Sequence, residues 1–442
     1  MGNGGYDVSH YGVSLAYEPK SGQLSGTAVI TARAGKALSA FNFDFKGMDV
    51  RSVTVDGKAA EVSRAGQEMT VRPRDYIRKG AEFRTSVRYA GKPVTITDPD
   101  GSEEGWLRTG DGALGLGEPT GSMAWYPGNH HPSDKAAYDI TVTVPEGLKA
   151  VSNGELRSER TSGGRTTFSW HAGEPVASYV ATVAIGAYET KTYEIKSADG
   201  RKLPVYVAVD PAEANASEKV LDRIPEVVAW EEKNFGAYPF SSTGAVVDRE
   251  GDAGYALETQ NRPVFPGAPD LGTLVHEMAH QWYGDSVTPK SWRDMWLNEG
   301  FATYAEWMWE EDHGGDSAQQ TFDALYRGDY YEDAANGRAV WAFPPATPSS
   351  AAHISGSPVY ERGAMVLHKV RQTLGDDTFR TILKGWAATH RHGNADTADF
   401  TAYVEKVAGG GTGPKSQKAQ KIGELREIWA SWLYGDGRPS RP

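Results

Sequence analysis

The segment His276-Glu277-Met278-Ala279-His280 places two imidazoles four residues apart, with a carboxylate directly after the first. It lies within Leu274 to Tyr283, where apolar residues recur at helical spacing. A helix turns about 100° per residue, so both rings point to one side. Two neutral imidazoles one turn apart can hold a zinc ion at Zn–N distances of about 2.0 to 2.1 Å. Glu277, beside the first ligand, is placed to act on a water at the metal rather than on the metal itself. Two histidines leave the set one protein ligand short. Glu299, in Asn298-Glu299-Gly300-Phe301-Ala302 nineteen residues beyond His280, opens a second helical pattern that can supply it. His, His and Glu together leave one position for water. The chain has no cysteine, so a metal site must be built from such groups.

The plain alternatives are two histidines that happen to share a core helix, and a helix-start acid at 299 favoured by the dipole. Glu306, seven residues after Glu299 on the same face, is a candidate to hydrogen-bond a ligand imidazole, with a solvated helix carboxylate as the alternative.

These residues need a frame. From Tyr6 to about Tyr193 short runs alternate apolar and polar, as in Tyr11, Val13, Leu15, Tyr17 and in Tyr138, Ile140, Val142, Val144, which is the period of half-buried strands. Asp56-Gly57 reads as a turn between Val53–Val55 and Glu61–Val62. After Lys202 a strand at Val205 to Val209 precedes a helix-like stretch from Ala212 to Phe235, and three- and four-residue spacings dominate at Leu271 to Tyr283, Trp296 to Glu310, Arg362 to Leu374 and Leu425 to Leu433. The expected division is therefore a β domain over residues 1–195 and a mainly helical domain over 196–442, a multidomain α+β chain. Gly409 to Pro414 with Lys415 to Lys421 reads as a mobile loop.

The 442 residues carry 46 Lys and Arg against 58 Asp and Glu, a net charge of -12. That balance argues against nucleic acid and anionic membranes as partners, and suits a cationic group such as a free amine. No apolar run approaches the ~20 residues needed to span a bilayer. The first residues, Met1 to Tyr6, lack the basic and apolar regions of a signal peptide. Either the chain is cytosolic or a leader has been removed.

With these residues in hand the chain resembles the M1 family of zinc aminopeptidases, whose signature is His-Glu-x-x-His, eighteen residues and Glu. Gly254-Tyr255-Ala256-Leu257-Glu258-Thr259 is similar to the family's Gly-x-Met-Glu-Asn motif, and Val359-Tyr360-Glu361-Arg362-Gly363 to its Tyr-x-Lys/Arg-Gly motif. Glu118, nine residues before Pro127, falls where the family carries a Gln or Glu that helps hold the substrate amine. The resemblance implies a saddle-shaped N-terminal β domain, a thermolysin-like catalytic domain, the short two-domain bacterial type without the C-terminal helical domain, and one zinc ion per chain. It implies His276, His280 and Glu299 as ligands and Glu277 as general base. Tyr360 becomes an oxyanion donor, Glu258 and Glu118 bind the amine, and Tyr255, Ala256 and Leu257 lie beside the first residue. Tyr255, Leu257 and Thr259 depart from the family's residues there.

The implied activity is removal of N-terminal residues from peptides by promoted-water attack, in an exported monomer. An endopeptidase without N-terminal restriction and a catalytically dead zincin that binds peptides are the alternatives. A lipid epoxide hydrolase is disfavoured, because such relatives use an acid shortly before the tyrosine motif and Ser349 to Pro358 contains none.

Overall fold

The computed structural model describes residues 2–331, 333–410 and 414–440. It separates into two compact units. The first comprises residues 1–196, 202–223 and 240–269, and the second residues 197–201, 224–239 and 270–442. The chain therefore does not divide by a single cut at 195/196. Strand Glu189–Lys196 pairs antiparallel with Lys202–Val209, which pairs parallel with Thr243–Val247 and through it with Val264–Phe265. A shared hydrogen-bonded ladder draws these later strands into the first unit.

The first unit is a β structure. Its eight-stranded sheet runs, in spatial order, Glu155–Ser162, Arg165–Ala177, Lys135–Pro145, Tyr6–Glu18, Gln23–Ala34, Glu82–Gly91, Asp49–Val55 and Lys58–Ala59. Alternation does what it predicts here: Tyr11, Val13, Leu15 and Tyr17 are buried, and the Tyr11 ring stacks on Tyr138 of the neighbouring parallel strand at 4.8 Å. The Asp56-Gly57 turn has positive φ at both residues, 49° and 77°, and joins Asp49–Val55 to Lys58–Ala59. A five-stranded sheet runs, in spatial order, Lys149–Ser152, Val183–Gly186, Ala113–Leu116, Glu103–Arg108 and Thr95–Thr97. Helix α1 (Ala214–Leu221) also belongs to this unit. Asp222 and Arg223 end it, so the stretch expected to be one helix from Ala212 to Phe235 is two.

The second unit is helical. Helix α2 (Ile224–Phe235) packs on α3 (Leu271–Ala279), which packs on α4 (Trp296–Asp312). Then follow α5 (Ala318–Arg327), α6 (Ala334–Ala339), α7 (Gly363–Leu374), α8 (Asp376–Thr389), α9 (Thr397–Gly410) and α10 (Lys415–Ile428). The expected loop over Lys415 to Lys421 is instead the start of α10. Pro414 sits at its N-cap, the run is rich in Lys, Gln and Glu, and Leu425 and Ile428 bury one stripe. Gly411 to Gly413 lie outside the described residues, while Gly409 and Gly410 close α9. Among the described residues no helix is long and apolar enough to cross a membrane.

Candidate metal centre

Helix α3 begins at Asp270, whose Oδ1 accepts the Thr273 N–H at 2.7 Å and fixes the first turn. Leu274, Val275, Met278 and Ala279 are buried. The opposite stripe carries His276 and, at the C-cap with helical φ and ψ, His280; their ring centroids lie 4.7 Å apart. Glu299 sits in the first turn of α4, where a helix favours an acid. Its Oε2 is 3.2 Å from His276 Nε2 and 3.3 Å from His280 Nε2.

One atom from each of His276, His280 and Glu299 falls within 4.8 Å of the others, so a single ion can reach all three. The outer nitrogens decide which atoms face that point. His280 Nδ1 lies 3.0 Å from the Tyr283 carbonyl, an acceptor only, and so carries the proton. His276 Nδ1 donates to Glu306 Oε1 at 2.6 Å. Both Nε2 lone pairs are thereby left for a metal, with ring orientation set from outside. Burial opposes charge on Glu299, yet the His280 charge and bonds from both imidazoles hold its carboxyl down at about 2. His276 is pushed well above the usual imidazole range, burial being outweighed by Glu299 and Glu306. A buried site that keeps its carboxylate ionised and pushes an imidazole towards its charged form favours positive charge, which a cation on the two Nε2 atoms would supply in place of a proton.

Two glycines explain how the elements meet. A Cβ on Gly300 of α4 would stand 2.9 Å from the backbone carbon of Gly363, and one on Gly363 would stand 3.1 Å from Gly300 Cα. The helix of Glu299 therefore crosses the start of α7 backbone to backbone. Directly before α7 the turn Pro358–Arg362 is a π-helical one. It lays the Tyr360 ring parallel to His276 at a centroid distance of 6.1 Å and an angle of 14°. Arg362, fully buried, anchors the turn by donating to the carbonyls of Trp432 at 2.8 Å, Phe343 at 3.3 Å, Ser431 at 3.1 Å and Gly435 at 2.5 Å. Glu277, also buried, follows His276 on α3.

Residues 270–432 match the family description "Peptidase family M1 domain". A two-domain M1 zinc metallopeptidase, solved as a glutamate-to-alanine variant bound to L-arginine, superposes with a TM-score of 0.88 at 27% identity, covering 100% of this chain and 97% of that one. The matched segment is thus similar to a peptidase family M1 domain, and the whole chain is similar in fold to a two-domain M1 zinc metallopeptidase. The M1 zinc metallopeptidase of Deinococcus radiodurans, in a variant bound to Tyr-Ser-Ala, gives 0.87 at 27% identity, over 100% and 96% of the two chains. Among curated relatives, probable aminopeptidase 2 of Sulfurisphaera tokodaii is 27% identical over 70% of this chain and 39% of its own length. The leucyl aminopeptidase of Saccharolobus solfataricus is 23% identical over 98% of this chain and 54% of its own. The chain thus spans from about two fifths to about half of the length of these two relatives.

The two segments of the first unit that resemble family motifs, at Glu118 and at Tyr255 to Glu258, meet there. The Tyr255 hydroxyl donates to the Glu118 carbonyl at 3.4 Å. Glu118 and Ala256 are half-buried and Glu258 is buried. Leu257 is fully buried, its N–H and carbonyl both bonded to Val264. Sequence reasoning missed the Tyr283 carbonyl, because a main-chain acceptor has no residue signature. It also missed the anchor at Arg362, quoted only as part of a motif, and Tyr331, whose hydroxyl donates to Glu361 Oε1 beside Tyr360.

Proposed function

We propose that the chain is a zinc aminopeptidase that hydrolyses the first peptide bond of substrates with a free N-terminus. The observation that carries this reading is the convergence of His276 Nε2, His280 Nε2 and Glu299 Oε2 within 4.8 Å, with Glu277 next to the first ligand on the same helix. The donor set fits zinc, which has no geometric preference of its own and accepts imidazole and carboxylate together. When bound, zinc supplies a Lewis acid for the scissile carbonyl and lowers the pKa of water at its open position towards about 7.

The remaining steps belong to side chains. Glu277 accepts the proton of the attacking water and passes it to the departing amine. Tyr360 donates its hydroxyl to the oxygen that gains negative charge. Glu118 and Glu258 accept the ammonium of the first residue and so fix the register of cleavage, with Tyr255, Ala256 and Leu257 next to that residue. Glu306 orients His276. Export is part of the reading and rests on the resemblance alone; fractionating cells that make the protein tests it.

The direct test is a set of aminoacyl fluorogenic amides and one peptide in free and N-acetylated forms, each with and without chelator. Cleavage of the amides and the free peptide, lost to chelator and restored by zinc, is the expected result. Equal cleavage of both peptide forms would make the enzyme an endopeptidase and remove Glu118 and Glu258 from amine capture. Zinc binding without cleavage of any substrate would leave a peptide-binding module.

A further inference from the structure

Glu118, the accessible residue of the amine-binding pair, stands in a short loop between strand Ala113–Leu116 and a 3-10 turn at Gly121–Ala124. The loop is tightly packed. A Cβ at Gly117 would come within 2.5 Å of both the Ser122 hydroxyl and the Tyr179 carbonyl, and one at Gly121 would run into the Leu116 carbonyl and the Gly105 nitrogen. Gly121 N–H closes the loop on the Gly117 carbonyl at 3.0 Å. On its inner side lies a carboxylate with no part in the proposed chemistry. Glu104, on strand Glu103–Arg108, is completely buried. Its Oε2 accepts the Thr120 N–H at 2.8 Å and the Gly121 N–H at 2.6 Å, and its Oε1 accepts the Thr120 hydroxyl at 2.9 Å. From the other side Tyr255 donates to the Glu118 carbonyl at 3.4 Å.

We infer that Glu104 is the positioning residue for amine capture: by holding Thr120 and Gly121 it sets where the Glu118 carboxylate stands. The inference rests on the aminopeptidase reading and names a residue that reading does not use. Three hydrogen bonds from two consecutive residues to one buried side chain fix both the height and the rotation of the segment that follows Glu118. Rigid second contacts of this kind decide whether a binding group meets its ligand without first being ordered.

The carboxyl need not be charged to do this. Burial, and after it the charge of Asp98, push Glu104 up to about 8 against the bonds from Thr120 and Gly121. Asp98 itself lies at about 6. At neutral pH the pair therefore holds a proton, and a glutamine at 104 reproduces the neutral group. Its carbonyl oxygen can take both N–H groups while its amide donates to the Thr120 hydroxyl, which turns to accept. Alanine keeps none of the three bonds.

The experiment compares Glu104→Gln, Glu104→Ala, Glu118→Ala and Thr120→Val in the full chain, zinc-loaded, using an aminoacyl amide and the free and N-acetylated peptide. For Glu104→Ala we expect KM to rise about tenfold, kcat to stay within about twofold, and selection for the free N-terminus to fall, with zinc content unchanged. Glu104→Gln should stay within about twofold of the parent in all of these. Thr120→Val, which loses one of the three bonds and serves if the alanine variant does not fold, should raise KM by about two- to threefold. Adding Glu104→Ala to Glu118→Ala should cost nothing more. Unchanged KM in Glu104→Ala, or in Thr120→Val where the alanine variant does not fold, overturns the proposal, as does equal damage from Gln and Ala. If Glu118→Ala is itself harmless, the amine-capture reading fails and takes this role with it. If Glu118→Ala is damaging and Glu104→Ala is not, only the role of Glu104 falls.

Discussion

At the scale of single residues, Glu277 on α3 and Glu306 on α4 have different duties in the proposed reaction, and the differences can be measured. Glu277 accepts a proton in the proposed reaction, so Glu277→Gln, which keeps shape and removes basicity, should bind zinc as the parent does and lose about 10³-fold or more in kcat. Metal content with kinetics on an aminoacyl amide checks this, and near-parental turnover would remove Glu277 from the chemistry. Glu306 acts through His276. With its 2.6 Å bond lost in Glu306→Ala, the imidazole is free to turn and its Nδ1 proton has no fixed acceptor. Zinc affinity should fall by about 10- to 100-fold, read by chelator competition, with kcat of the zinc-loaded enzyme much less affected. An unchanged affinity would mean that α3 alone orients the ring.

At the scale of elements, the close crossing of α4 and α7 is the joint that brings Glu299 and Tyr360 to one imidazole. Alanine at Gly300 should gain about 1 kcal/mol in helix propensity. The added carbon meets the Gly363 backbone at 2.9 Å, and a backbone cannot move aside as a flexible side chain can. A clash of this kind costs about 1 to 3 kcal/mol, so we expect Gly300→Ala to lower both the melting temperature and zinc affinity; a stabilised variant with full zinc affinity would refute the joint. Helix α2 carries an opposite case. Both oxygens of buried Glu231 lack a hydrogen-bond partner among the described residues, and burial pushes its carboxyl well up. Leaving such a group unsatisfied costs about 1 to 3 kcal/mol, so Glu231→Met, of similar length, should raise the melting temperature. A drop would reveal a bound water that satisfies the acid. These cases also mark what the sequence could convey. The strand period around Tyr11 and Tyr138 and the helical period around His276 were legible because each repeats a burial pattern along the chain. Glu299 was legible by its distance along the sequence from His280. The Gly300–Gly363 contact and the Tyr283 carbonyl were not, since each joins segments by geometry alone. Helix α10 was misread because glycines before it masked a stripe of only two buried residues, Leu425 and Ile428.

At the scale of the whole molecule, the balance of buried ionisable groups sets how stability varies with pH. In the first unit burial is the leading cause that raises Glu104 to about 8, Asp134 and Asp248 to about 7, and Asp98 to about 6. In the unfolded chain such carboxyls lose their protons near pH 4. Between that point and its folded pKa each group holds a proton only in the folded state, so its contribution to stability is lost as pH rises. Buried imidazoles act the other way. His130 and His368 are lowered to about 4, chiefly by burial, so from about 4 to 6.5 the unfolded state binds more protons at these two sites and stability gained there rises with pH. Below about 6.5 the two sets oppose each other. Above it the histidines are neutral in both states, and the carboxyls act unopposed, Asp134 and Asp248 until about 7 and Glu104 until about 8, each by at most about 1.4 kcal/mol per pH unit. Melting temperature at constant ionic strength should therefore fall from pH 6.5 to 8.5, and Asp134→Asn, which keeps the bulk of the side chain and has no proton to lose, should flatten that fall. A melting temperature that rises over the same interval would mean that these carboxyls are ionised in the folded protein.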